Sequence, residues 1–158
     1  MKKGIIATLS MVFGASAGLA ASGVVQNKKT AKHQDDVRKL CEFYDLLIQW
    51  LSIKQENRSL ETYLLEKGYK TVAIYGMKEL GERLYDELKD SKVEVKYAID
   101  KNADNVYADV DVLTPDDSLE EVDAIIVTAI HYYDEIEEML EERMDCPILS
   151  LEDIVYDA

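Results

Sequence analysis

The chain is 158 residues long, enough for one domain with its own core plus an appendage and too short for two full enzyme domains. Hydrophobic residues at 47% and charged residues at 32% exclude both a disordered chain and a polytopic membrane protein. The formal charge of −14, from 18 Lys+Arg against 32 Asp+Glu, argues against nucleic-acid binding, which needs a basic footprint to neutralise phosphates.

The charge is unevenly spread. Residues 1–34 hold five lysines and no acid, for +5, residues 35–56 sum to −2, and residues 57–158 to −17. This asymmetry divides the chain into an N-terminal segment (1–27), a basic collar with a helical connector (28–56) and an acidic domain (57–158). The uncharged stretch Gly4 to Gln26 has the ~20-residue length of a membrane-crossing helix. A cleaved signal peptide competes, on the strength of Lys2–Lys3, the apolar run Ile5–Phe13 and the small-residue site Ala15-Ser16-Ala17. Apolarity that continues through Leu19 to Val25 and stops at Asn27-Lys28-Lys29 favours a retained single-span anchor. Ser10, Gly14, Gly18 and Ser22 recur every four residues. That spacing puts small side chains on one helix face along which two anchors would dimerise, and chance in a Gly/Ala-rich span explains it equally well. Lysines on both flanks leave the orientation open. The nature of the remaining domain points to a cell-membrane protein with a cytoplasmic C-terminal domain.

From Thr30 to about Gln55, Val37, Leu40, Cys41, Tyr44, Leu47, Ile48 and Leu51 follow i, i+3, i+4, i+7 spacing, the stripe of an amphipathic helix. With Trp50, the only tryptophan, they are read as core packing or a dimer seam rather than a ligand box. Cys41 and Cys146 match neither a disulfide framework nor a CxxC spacing and are expected as half-buried thiols in a reducing compartment. Asn57 or Ser59 can cap a short helix, Leu60–Lys67, ended by Gly68.

The rest alternates short apolar runs with helical patterns. Strands are expected at Thr71–Tyr75, Val93–Ile99, Val110–Leu113, Asp123–Val127 and Pro147–Leu149, and helices at Glu82–Asp90, from about Tyr133 to Arg143, and after Ser150. A capping box from Ser118 to Glu121 signals a further helix start. The run Asp134 to Glu142 reads as a helix with Ile136, Met139 and Leu140 inward and its acids solvated. The pattern predicts an α/β fold, a small Rossmann-like parallel sheet preceded by a transmembrane helix and an amphipathic helix.

Strand, glycine turn, helix, strand and acid is the order of a dinucleotide-binding unit. Gly76 and Gly81 take the first and third glycine positions, and Asp100 stands at the following strand end where such a unit grips ribose. Lys78 occupies the second position, where a side chain obstructs approach of a diphosphate to the backbone, the more direct consequence, or alternatively supplies a cation to phosphate. The segments Ile74–Gly81, Tyr97–Asn102 and Asp123–Ala129 resemble the small Rossmann-like domains that accompany bacterial glycosyltransferases, nucleotide-sugar epimerases and sugar acyltransferases of surface-polysaccharide synthesis. The resemblance covers roughly residues 57–156. It implies NAD(P) or a nucleotide-sugar as ligand and a glycosyltransferase-type protein as partner. The candidate cofactor-binding residues are Gly76, Met77, Lys78, Gly81, Asp100 and Thr128.

His33 and the cysteines build no metal cluster. His131, beside the expected crevice, is the single candidate for acid/base chemistry, against a bland reading as a surface or capping residue. The leading expectation is a membrane-anchored binding module rather than an enzyme. An NAD-dependent sugar oxidoreductase or epimerase using His131 is the second reading. An interaction protein with a vestigial nucleotide site, dimerising through the anchor and the Val37–Leu51 stripe, is the third.

Overall fold

A computed structural model describes residues 30–158. The expected anchor and its Ser10, Gly14, Gly18, Ser22 stripe lie outside the described residues. Among those described, no helix is long and apolar enough to cross a membrane. The chain divides into two compact units at Tyr44/Asp45. Helix α1 occupies residues 30–55. In the first unit it carries i, i+3 and i, i+4 ion pairs, Arg38 to Asp35 (2.5 Å) and Glu42 (2.7 Å) and Lys39 to Asp35 (3.0 Å), each open to solvent, whose screening leaves them weak.

The second unit is α/β. Its elements in chain order are α2 (Leu60–Glu66), β1 (Thr71–Tyr75), α3 (Glu79–Leu88), β2 (Glu94–Ile99), β3 (Val112–Leu113), β4 (Ala124–Val127), α4 (Tyr133–Glu141), β5 (Ile148–Ser150) and α5 (Leu151–Asp157). The five strands form one sheet in the order β3-β2-β1-β4-β5, every pairing parallel. β4 is buried throughout and β1 from Val72 onward, as continuous β-branched runs require when both faces of a parallel sheet are covered. Ala73, Tyr75, Tyr97, Ile99, Ile125 and Val127 share a core with Ile136 and Leu140 of α4. The alternate residues Val72, Ile74, Ala98 and Ile126 are equally buried and face the other way by the two-residue period of a strand. α3 packs on β1 and β2 through Leu80, Leu84 and Leu88.

Local signals set the ends of α2 and α5. The Ser59 hydroxyl accepts from the Thr62 N–H (3.2 Å) and the Ser150 hydroxyl from the Glu152 N–H (3.2 Å), satisfying amides that the first helical turn leaves open. Gly68 follows α2 with φ +91°, a left-handed conformation suited to glycine.

Three expectations need correction. No helix follows Ser118, because only five residues separate it from β4 and the segment is held in an irregular path instead. The Tyr97 hydroxyl donates to the Glu120 carbonyl (2.6 Å), Val122 is buried, and Arg143 donates to the Asp117 carbonyl (2.9 Å). Burial pushes the Tyr97 hydroxyl up to about 12, so it remains a donor. Of the two readings of the α1 stripe, core packing or a dimer seam, core packing fails at Val37, Leu40, Tyr44, Leu47, Ile48 and Leu51, which are exposed, and holds for Trp50, which is buried with Leu46 and Ile53. Cys41 is exposed, and only Cys146 is half-buried.

Two carboxylates join elements of this unit. Asp123 accepts from the backbone N–H groups of Thr71 and Lys70 (2.8 Å each), which hold its carboxyl below the usual range. Glu87 of α3, its side chain 6% exposed, accepts from the Trp50 indole (2.7 Å) and the Leu60 N–H (3.0 Å) and pairs with Lys54 (2.9 Å). It thereby ties the end of α1 and the start of α2 to α3. Glu87→Ala leaves two donors without an acceptor, each costing about 1–3 kcal/mol when buried. We expect urea unfolding to show a loss of about 2–4 kcal/mol with a red shift of Trp50 emission, Glu87→Gln falling between it and the wild type. A loss below about 0.5 kcal/mol, the ordinary range of a surface change, would contradict this role.

Candidate functional site

The strand order reverses between β1 and β4, and ligands of open parallel sheets bind outside the carboxyl ends of the strands at such a point. The segments that meet there are the loop Gly76–Lys78 after β1, Asp100–Asn102 after β2 and Thr128–Tyr133 after β4. The structure therefore gathers Gly76, Met77, Lys78, Asp100, Thr128 and His131 at one end of the sheet.

Gly76 turns the chain with φ +96°, and a Cβ there would stand 2.9 Å from the Thr128 hydroxyl oxygen. Its N–H donates to the Ile99 carbonyl (2.8 Å). Its carbonyl accepts the Thr128 hydroxyl (2.5 Å), which also lies 3.1 Å from the Tyr75 carbonyl. Gly81 sits on α3 directly against this turn, and a Cβ on it would come 2.0 Å from the Gly76 carbonyl oxygen. The first glycine thus makes the turn and the third lets helix approach strand, the two jobs these positions have in a dinucleotide-binding unit.

Asp100 does something else. Its carboxylate accepts from the Met77 N–H (3.0 Å) and the Asn102 N–H (2.9 Å), one through each oxygen, and the residue is 8% exposed. A ribose-gripping acid offers its oxygens to the ligand, whereas this one staples the glycine loop to the end of β2. Thr128, equally buried, is committed to the loop carbonyls in the same way.

Lys78 is the N-cap of α3, with φ −88° and ψ −159° and no side-chain capping bond. This is ordinary extended backbone, so the lysine sits at the second glycine position without strain. An ammonium group has no lone pair to accept with, so it cannot cap the amides of the first turn as Ser59 and Ser150 do for α2 and α5. The ten-residue helix α3 therefore presents uncapped N–H groups and the positive end of its dipole, with an exposed cation at the same point, a combination that favours an anion. Glu79 and Glu82 in the first turn partly offset that field.

Two further features border the strand ends. His131 lies in a 3-10 turn, Ile130–Tyr132, that leads into α4. With residues 130–135 it lines a pocket of about 140 Å3. Enclosed small-molecule sites start near roughly 300 Å3, so a nucleotide would have to lie across the strand ends rather than inside this pocket. Tyr75, the last residue of β1, is 3% exposed, and its hydroxyl finds no hydrogen-bond partner among the described residues. Burial first and the Asp100 carboxylate second hold that hydroxyl above its ordinary value. Sequence reasoning missed Tyr75, for which the available signal was a polar-tipped aromatic ending an otherwise aliphatic buried strand. Among the described residues no group of three or more His, Cys, Asp or Glu is placed to hold a metal.

A protein-family model described as C2185-like, N-terminal, matches residues 68–147, a span that includes β1, the glycine loop, Asp100, Thr128 and His131. No curated protein and no solved structure matches the chain.

The two glycines α3 and α2 depend on differ in what a side chain would meet. Gly81→Ala drives a methyl into the Gly76 carbonyl and should destabilise by about 3 kcal/mol or more, at the upper end of overpacking costs. Gly68→Ala meets nothing within 4 Å and should cost about 1 kcal/mol, from backbone conformation alone. Chemical denaturation of the two variants checks the order, and equal losses would show that α3 does not need the close approach.

Proposed function

The chain belongs to the C2185-like N-terminal family, and we propose that its α/β unit is a Rossmann-like binding module for a nucleotide or nucleotide-sugar, accessory to cell-surface polysaccharide synthesis. The observation that carries this reading is the uncapped start of α3 at Lys78, beside the strand-order reversal between β1 and β4. There a phosphate group meets helix amides and an ammonium while the nucleoside lies across the strand ends toward Thr128–Tyr133. The loss of a free acid at Asp100 makes phosphate rather than ribose the anchoring group. In this reading residues 4–26 anchor the chain in the cell membrane as a single span with the C-terminal domain in the cytoplasm, and a glycosyltransferase-type protein is the partner.

The module has a binding role and no chemistry of its own. An NAD-dependent sugar oxidoreductase or epimerase would need His131 as acid/base, and turnover unchanged in His131→Ala would remove that alternative. One observation favours the interaction protein with a vestigial site: the Asp100 carboxylate and Thr128 hydroxyl are already consumed by the loop.

Calorimetry of the full chain in detergent against NAD(H), NADP(H) and UDP-sugars separates these readings. We expect saturable heat with at least one of them, weakened about tenfold in Lys78→Ala, equivalent to about 1.4 kcal/mol. No heat with any of them, or affinity unmoved by Lys78→Ala, would contradict the proposal.

A further inference from the structure

Helix α1 is apolar on two faces. The face made by Leu46, Trp50 and Ile53 is buried within the α/β unit. At 3.6 residues per turn the second face lies roughly 140° away. It carries Val37, Leu40 and Tyr44 in the first unit and Leu47, Ile48 and Leu51 in the second, each between 37% and 68% exposed. We propose that this second face is covered by the same face of a second copy of the chain, so that α1 pairs with α1 and the protein is a homodimer.

Spacing, charge and area argue for this occupant. Positions 37, 40, 44, 47 and 51 are separated by three, four, three and four residues, the a and d positions of a heptad seam, which is self-complementary when two identical helices meet. Residues 30–55 are helical without a break. With Val37 as a, the paired ions Asp35, Arg38, Lys39 and Glu42 fall at b, c and f, away from the seam. The flanking e and g positions from 41 to 50 are Cys41, Phe43, Ile48 and Trp50, so no like charges oppose one another across it. The six side chains expose roughly 600 Å2 per chain, and two copies together reach the ~1,200 Å2 at which specific interfaces begin. That area is at the upper end of the largest apolar patch on a typical monomer, about 300–600 Å2, and such patches are often functional.

The dimer does not depend on ligand binding. Sedimentation velocity of the full chain in detergent, with bound detergent subtracted, should give twice the 18.0 kDa chain mass at tens of micromolar protein. Leu40→Glu/Tyr44→Glu and, from the other end of the stripe, Leu47→Glu/Leu51→Glu should each return the single-chain mass with Trp50 fluorescence unchanged. Gly14→Leu/Gly18→Leu, which alters the small-residue stripe of residues 4–26, should leave the dimer intact. A monomeric wild type would overturn the proposal, and would mean the stripe is covered by another segment of the chain or by a different protein. A dimer that survives both glutamate pairs, or that is lost with Gly14→Leu/Gly18→Leu, would equally overturn it.

Discussion

The α/β unit depends on one close approach, that of Gly81 to the Gly76 carbonyl, where a Cβ would come 2.0 Å from the oxygen. The contact sets how near α3 lies to the end of β1. That distance lets the loop between them close on itself, with the Gly76 N–H on β2, its carbonyl on Thr128 and the Met77 N–H on Asp100. The segments that follow β1, β2 and β4 are thus joined through Gly76 and Met77. A side chain at Gly81 would force α3 outward and one at Gly76 would press on the Thr128 hydroxyl, and either would strand bonds made by buried or half-buried groups, each costing about 1–3 kcal/mol when lost.

The same closure limits what the site can do. Asp100 and Thr128 hold the loop and are only 8% and 6% exposed, so little of either faces a ligand, and the pocket beside His131 is too small to enclose a whole nucleotide. What remains available is electrostatic, the start of α3 with Lys78 at its cap, set in a domain whose residues 57–158 sum to −17. An acidic domain repels free anions over its surface, so a phosphate that binds at Lys78 does so against the global field through local amide and ammonium contacts. That balance favours a ligand that adds contacts beyond its phosphates, as a nucleotide does over inorganic phosphate.

Much of the fold was legible because its signals are local or continuous. Thr71–Tyr75 reads as a buried strand from five residues, and Ser59 and Ser150 cap the helices they precede, since a cap needs only its own first turn. Ser118 carries the same capping pattern and starts no helix, because whether a helix forms there depends on the length left before β4 and on Tyr97 from another strand. Periodicity on α1 found a genuine apolar stripe, but a helix with two apolar faces gives one stripe by i, i+3, i+4 counting, and which face the domain covers is decided by Glu87 and the core around Trp50. At the site, spacing located Gly76, Gly81 and Asp100 correctly in space. The role of Asp100 was not legible, since a carboxylate at a strand end looks the same whether it faces a ligand or a backbone amide.

The central claim is that the start of α3 is where this module meets a phosphate. Amide NMR of the 15N-labelled full chain in detergent, with increasing UDP-sugar or NAD, tests it most directly. The account predicts saturable shifts of the backbone amides of Lys78, Glu79 and Leu80 together with those of Thr128–Tyr133, with the midpoint moved about tenfold higher in ligand in Lys78→Ala. Shifts confined to other parts of the domain, or no shifts at millimolar ligand, would contradict it.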